Sequence, residues 1–135
     1  MMSNLPRFGE YAAAFELSLQ DNDWARLEPY FAEHSTYAPG DGTRAVGRAA
    51  VIQALQDSVN KLERMCDSRE LLGQPEFSEA GNTITLNYRL KYAKRGVPDF
   101  VLVGVETAEY TDGEISRLED VFEDPAGLLA WQGQL

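Results

Sequence analysis

The stretch TITLNYRLKYAKRGVPDFVLVGVETAEYTDGEISRLEDVFE, residues 83–123, decides the fold. Its first segment alternates Ile84, Leu86, Tyr88, Leu90 and Tyr92 with polar neighbours, the period of two expected of a half-buried antiparallel strand. KRGVP turns the chain into DFVLVGVETAEY, and TDG turns it again into EISRLEDVFE, so the stretch reads as a three-strand meander. Six of the fifteen residues from Glu109 to Glu123 are Asp or Glu, so the register of the last hairpin determines which acids are buried.

Two registers are open. A two-residue turn at Asp112 and Gly113 pairs Tyr110 with Ile115 and sets Glu106 against Glu119, a like-charge pair that costs free energy. A three-residue loop with Gly113 in the left-handed region sets Glu106 opposite Leu118, Gly104 opposite Asp120 and Leu102 opposite Phe122. The second register is preferred. It gives one face bearing Phe100, Leu102, Gly104, Glu106, Ala108 and Tyr110 beside Leu118, Asp120 and Phe122. Glu106 and Asp120 then point inward as diagonal neighbours about 7–8 Å apart, and Glu119 and Glu123 point outward. The other face carries Val101, Val103, Val105 and Val121, an apolar stripe suited to a homodimer contact.

Upstream the period lengthens. Phe8, Tyr11, Ala12, Phe15 and Leu19 recur at three and four between Leu5 and Leu19, one face of a helix that Asp21 and Asn22 end. DWARLEPYFAEH reads as a short second helix capped by Asp23, with Trp24, Leu27 and Phe31 on one side and Pro29 straining it. STYAPGDGTRAVG follows as a strand, a Gly/Asp turn and a brief extended piece. A third helix runs from about Arg48 to Met65 on Val51, Leu55, Val59 and Leu62. RELLG and PEFSE are short strands, and DPAGLLAW is a last helical turn with Asp124 as cap and Pro125 at its first position. Helices first and a long meander afterwards predict an α+β fold, a curved antiparallel sheet covered on one face by three helices. The 135 residues are the size of one domain, 1–135, with its core at about 8–123 and a helical tail at 124–135.

Composition narrows the partners. Twelve basic against 22 acidic residues give a formal charge of -10, which repels phosphate backbones and anionic lipid, so neither nucleic acid nor membrane is expected. Apolar runs such as FVLVGV fall far short of the roughly 20 residues of a membrane helix. The N-terminal MMSNLPRFGEY lacks the pattern of a signal peptide, and the single Cys66 has no intrachain partner, which together predict a cytoplasmic protein. One His and one Cys cannot assemble a zinc cluster, so no metal is expected. Cys66 reads as a structural residue at a helix-to-strand junction. His34 reads as a polar helix-end residue, with proton shuttling as its alternative.

DWARLEPYFAEHSTY, AVGRAAVIQAL and VETAEYTDGEISRLEDVF together make the sequence resemble the SnoaL-like and ketosteroid isomerase-like branch of the nuclear transport factor 2-like proteins, over about residues 8–123. The resemblance implies a sheet wrapped into a cone that helices close over an apolar cavity, opening between the first helix and the strands. It also implies three functional positions: a carboxylate base after the first strand, a tyrosine on the first helix and a protonated acid on a late strand. The late-strand acid falls on Glu106. The base position falls on Ala38 or Pro39 and the tyrosine position on Phe15, with Tyr11 one turn earlier, so two of the three are empty and steroid isomerisation is not predicted. Members resembling limonene epoxide hydrolase use an Asp, Arg, Asp set, but the alternation of β-residues puts Arg89 on the face away from the cavity.

Two functions are compatible with this reading. One is cofactor-free acid/base chemistry on a small apolar or cyclic organic molecule, by an isomerase, cyclase, dehydratase or hydrolase. Asp120 is then the base and Glu106 the acid or oxyanion donor, with Tyr11, Phe15, Tyr37, Tyr88, Leu102, Tyr110, Leu118 and Phe122 around the ligand. The other is a non-catalytic ligand-binding or dimerisation module in which the two acids are structural and the tyrosines are core aromatics.

Overall fold

The computed structural model describes residues 3–135. The chain runs α1 (Leu5–Asp21), a 3-10 turn (Ala25–Tyr30), β1 (Phe31–Ala38), β2 (Ala45–Val46), α2 (Arg48–Lys61) and a second 3-10 turn (Glu63–Met65). It continues through β3 (Ser68–Leu71), β4 (Glu76–Ala80), β5 (Thr83–Lys94), β6 (Val97–Thr111) and β7 (Glu114–Phe122) to α3 (Pro125–Gln132). No described helix is long and apolar enough to cross a membrane.

The seven strands form one curved sheet in the order β2-β1-β7-β6-β5-β3, with β4 also on β5. The meander read from residues 83–123 is its centre. The sheet is not wholly antiparallel, because β1 lies parallel to β7, with Tyr37 beside Leu118. That pairing also corrects the expected second helix: only Ala25–Tyr30 turns, and from Phe31 the chain is strand. Trp24, Leu27 and Phe31 are all buried as their spacing suggested, but Pro29 cannot extend a helix, and β7 offers Phe31 onward a row of backbone partners instead. His34 consequently lies exposed on β1 rather than at a helix end.

The final hairpin follows neither expected register. Asp112 and Gly113 both have positive φ (52° and 80°), the geometry of a two-residue turn, and Tyr110 pairs with Ile115. One residue later β7 carries an extra residue: Ser116 bulges out between Ile115 and Arg117, and its hydroxyl donates to the Glu109 carbonyl (3.0 Å). The bulge shifts all later pairs, so Glu106 faces Asp120, Gly104 faces Phe122 and Ala108 faces Leu118. The two acids are direct cross-strand partners instead of the expected diagonal neighbours. Which residues share the inner face is unchanged, because the true register differs from the preferred one by two.

Two apolar clusters fill the inner side. Phe8, Tyr11 and Ala14 of α1 and Val51, Leu55 and Val59 of α2 pack on Tyr37, Ile84, Ala108, Tyr110, Ile115 and Leu118. At the other end α3, capped by the Asp124 side chain on the Gly127 amide, lays Leu128 and Trp131 over Leu90, Tyr92 and Leu102. Trp131 stacks on Phe100 (5.5 Å between centroids), and its indole N–H donates to the Pro98 carbonyl (2.6 Å). Fully burying side chains of this size is worth about 1.5–3 kcal/mol each, so both clusters hold the helices to the sheet.

Candidate functional site

Glu106 from the middle of β6 and Asp120 from the end of β7 face each other where the two clusters meet. Both residues are half-buried, and Oδ1 of Asp120 is shut off from solvent. Burial pushes Glu106 well above the ordinary carboxyl range; the charge of Asp120 and the hydrogen bond that Glu106 donates to it act in the same direction. Burial also raises Asp120, but hydrogen bonds received from Glu106 and Tyr37 oppose it. Both carboxyls are therefore raised, Glu106 with no opposing hydrogen bond, and they lose their protons as a pair.

Tyr37 is placed for this by the parallel pairing of β1 with β7, and its hydroxyl donates to Asp120 Oδ2 at 2.6 Å. Oδ1 of Asp120 is buried and has no N–H or hydroxyl donor among the described residues; the carboxyl of Glu106, its cross-strand partner, is the group able to supply one when protonated. Tyr11 comes down from α1 and is completely buried. Burial raises its phenol, and the charges of Glu106 and Asp120 act in the same direction; no hydrogen bond joins it to either acid among the described residues. A tyrosine of the first helix thus shares the buried side of the sheet with Tyr37 and Leu118, one turn before Phe15, the position to which the resemblance pointed.

Tyr88 approaches from β5 opposite Gly104. A Cβ on Gly104 would meet the Tyr88 hydroxyl at 2.5 Å and its Cζ at 2.6 Å, so the glycine is the space into which the phenol folds. Burial raises Tyr88, and the charges of Asp120 and Glu106 follow as causes. Gly40, in the left-handed region (φ +91°), does the same for Phe122, whose ring a Cβ would meet at 2.7 Å.

The remaining expected positions divide between the two clusters. Tyr11, Tyr37, Tyr110 and Leu118 belong to the first, with Phe15 packed against it. Leu102 belongs to the second, with Tyr88 and Phe122 packed against it. Tyr110 is buried, and its hydroxyl has no hydrogen-bond partner among the described residues. Arg89 is exposed, on the face away from the acids. Cys66 is half-buried and its thiol donates to the Leu62 carbonyl (3.2 Å), a junctional contact. Among the described residues no three His, Cys, Asp or Glu side chains are placed to hold a metal ion.

Two clefts flank this interior. One, of about 570 Å³, lies on the outer face between the Leu72–Gln74 loop and Val103, Val105 and Val121, with Tyr88, Gly104 and Phe122 at its wall. The other, of about 380 Å³, lies between α1 and β3, where the resemblance implied an opening. Neither is lined by Glu106 or Asp120. Sequence reading missed Glu63 and Arg69 at the second cleft; a lone acid after a helix and an arginine in a short strand carry no signal of burial.

No protein-family model matches the sequence, and no curated protein matches it. Solved structures do match. TerC co-crystallised with polyporic acid superposes with a TM-score of 0.67 at 17% identity, covering 92% of this chain and 96% of that one. A protein of ketosteroid isomerase-like fold from Catenulispora acidiphila, in complex with trimethylamine, gives 0.64 at 18% identity over 92% of both chains. A nuclear transport factor 2-like protein from Burkholderia pseudomallei gives 0.68 at 19% identity, over 96% of this chain and 98% of that one. The fold is thus the nuclear transport factor 2-like, ketosteroid isomerase-like fold that the sequence resembles.

Proposed function

We propose that the protein binds a small apolar or cyclic organic molecule at its inner face and moves a proton on it without a cofactor, Asp120 acting as base and Glu106 as acid. The observation that carries this reading is that Glu106 and Asp120 are direct cross-strand partners whose buried carboxyls are both raised. An ionised carboxylate beside a protonated one supplies both halves of acid/base chemistry near neutral pH. Asp120 takes a proton from a carbon next to a carbonyl, and the Glu106 O–H and the Tyr11 phenol hydrogen-bond to the oxygen on which charge develops. In so enclosed a site these donors need no reorganisation, the condition under which oxyanion stabilisation is strongest. Tyr37 holds Asp120 in the orientation and ionised state that a base needs. Isomerisation, cyclisation and dehydration share this proton transfer. The neighbour co-crystallised with polyporic acid supports a cyclic organic ligand.

A second reading, a binding or dimerisation module, is favoured by Ala38 and Pro39, which put no carboxylate after β1, and by the mutual hydrogen bonding of the two acids. In either case we read one domain, located in the cytoplasm as the single free cysteine suggests, and a homodimer through the outer face. Val101 and Val121 are 40% and 60% exposed there, and Val103 and Val105 line the outer cleft. Mass spectrometry of small molecules that copurify with the native protein names the ligand. Conversion of that compound by the wild type, lost in Asp120→Asn with binding retained, supports the enzyme; binding without conversion by the wild type supports the module.

A further inference from the structure

The inner face of the sheet is not covered evenly. Cross-strand pairing sets its side chains in rows, and two of them are sealed beneath the helices: Ile84, Ala108 and Leu118 in one, Leu90 and Leu102 in the other, all buried. Between these lie two further rows, Leu86–Glu106–Asp120 and Tyr88–Gly104–Phe122. Apart from the glycine, every residue in them is only half-buried, so the accessible surface of this part of the inner face is gathered around the two acids.

Tyr88 packs against the second apolar cluster, which keeps its side chain on the inner side. Its phenol lies across β6, where a Cβ on Gly104 would stand 2.5 Å from the hydroxyl. The hydroxyl thus takes the place of the side chain that Gly104 lacks, two residues from Glu106 on the same face of β6 and diagonal to Asp120. At about 3.4 Å per strand residue, that place is about 7 Å along β6 from Glu106. The hydroxyls of Tyr37 and Tyr92 donate to Asp120 and Glu63, whereas that of Tyr88 makes no hydrogen bond among the described residues. Unlike the hydroxyl of Tyr110, it is not shut off from solvent. Burial raises Tyr88, so the phenol keeps its proton and remains both a donor and an acceptor.

Resting on the inner-face site read above, we propose that Tyr88 is the second polar anchor of that site and selects cyclic carbonyl compounds bearing a second oxygen about 7 Å from the carbonyl oxygen. The carbonyl lies at Glu106 and Asp120, the second oxygen bonds the Tyr88 hydroxyl, and Leu86 and Phe122 are apolar walls beside the ring. A few placed polar groups on a mostly apolar wall are what fix the orientation of a small ligand. An aromatic ketone with a hydroxyl para to its acyl group reaches both ends, and one with a methyl there reaches only the acids.

The test is titration of the wild type and Tyr88→Phe with 4-hydroxyacetophenone and with 4-methylacetophenone, at a pH where the probe phenol is neutral. Binding is followed by the ring signals of ¹³C-labelled Tyr37, Tyr88 and Phe122. The wild type should bind the hydroxyl compound about fivefold more tightly, with the Tyr88 signals moving, and Tyr88→Phe should lose that preference while binding the methyl compound as the wild type does. Equal affinities in the wild type overturn the proposal, as does a preference that survives in Tyr88→Phe; both leave the inner-face site standing, because the probes still bind there. Signals that neither probe moves up to its solubility limit overturn the anchor and the inner-face site together. If Tyr88→Phe does not fold, the wild-type comparison decides alone, with the Tyr88 signals assigned through its backbone.

Discussion

Replacing Glu106 with Gln keeps the shape of the side chain and a donor for Asp120 while removing its titrating proton. The consequence is a change in how stability depends on pH. Glu106 has a folded value raised above its ordinary 4.5, so its contribution is fully present below the unfolded value and is lost as pH rises through the folded value. Within that window the native protein holds one proton more than the unfolded chain, and the wild type loses about 1.4 kcal/mol of stability per pH unit relative to the variant. Over two pH units the difference reaches about 3 kcal/mol, a large part of the 5–15 kcal/mol typical of a domain and roughly 1–3 M in urea midpoint. Above the window the wild type must hold two adjacent buried carboxylates, and Glu106→Gln becomes the more stable protein. Urea unfolding followed by the fluorescence of Trp24 and Trp131, both buried, measures the effect between pH 5 and 8. Parallel curves for the two proteins would mean that Glu106 is ionised throughout and would refute its raised pKa.

Tyr37→Phe removes the 2.6 Å hydrogen bond to Asp120 Oδ2 and should cost about 1.5–3 kcal/mol in urea unfolding, and it should raise Asp120 further because that bond now holds it down. Gly104→Ala puts a Cβ 2.5 Å from the Tyr88 hydroxyl; the phenol must move, at a cost of about 1–3 kcal/mol, with a change in the Tyr88 ring resonances. Val103→Lys places a charge on the outer face, and light scattering should find the wild type dimeric at micromolar concentration and the variant monomeric.

The meander was legible because alternation from Ile84 to Tyr92 and from Phe100 to Tyr110 is long enough to fix both elements and faces, and a shift of register by two leaves the faces intact. The partner of each acid was not. Asp112-Gly113 announces a two-residue turn, but nothing in ISRLE marks the bulge at Ser116 that follows it. The second helix failed for a related reason. Trp24, Leu27 and Phe31 satisfy helical spacing, yet the strand pairing of β1 with β7 is nonlocal and outweighs it. Asp120 and Glu106 were placed inward by alternation together with the preferred hairpin register, whereas the hydrogen bond from Tyr37 depends on how β1 is laid along β7.

Carbon-detected NMR titration of the side-chain carboxyls of Glu106 and Asp120 tests the central claim most directly. The account predicts that Glu106 titrates well above its ordinary 4.5 and that the Asp120 signal responds in the same step, as two carboxyls that lose their protons as a pair must. Two independent titrations near pH 4, the behaviour of free carboxylic acids, would contradict it.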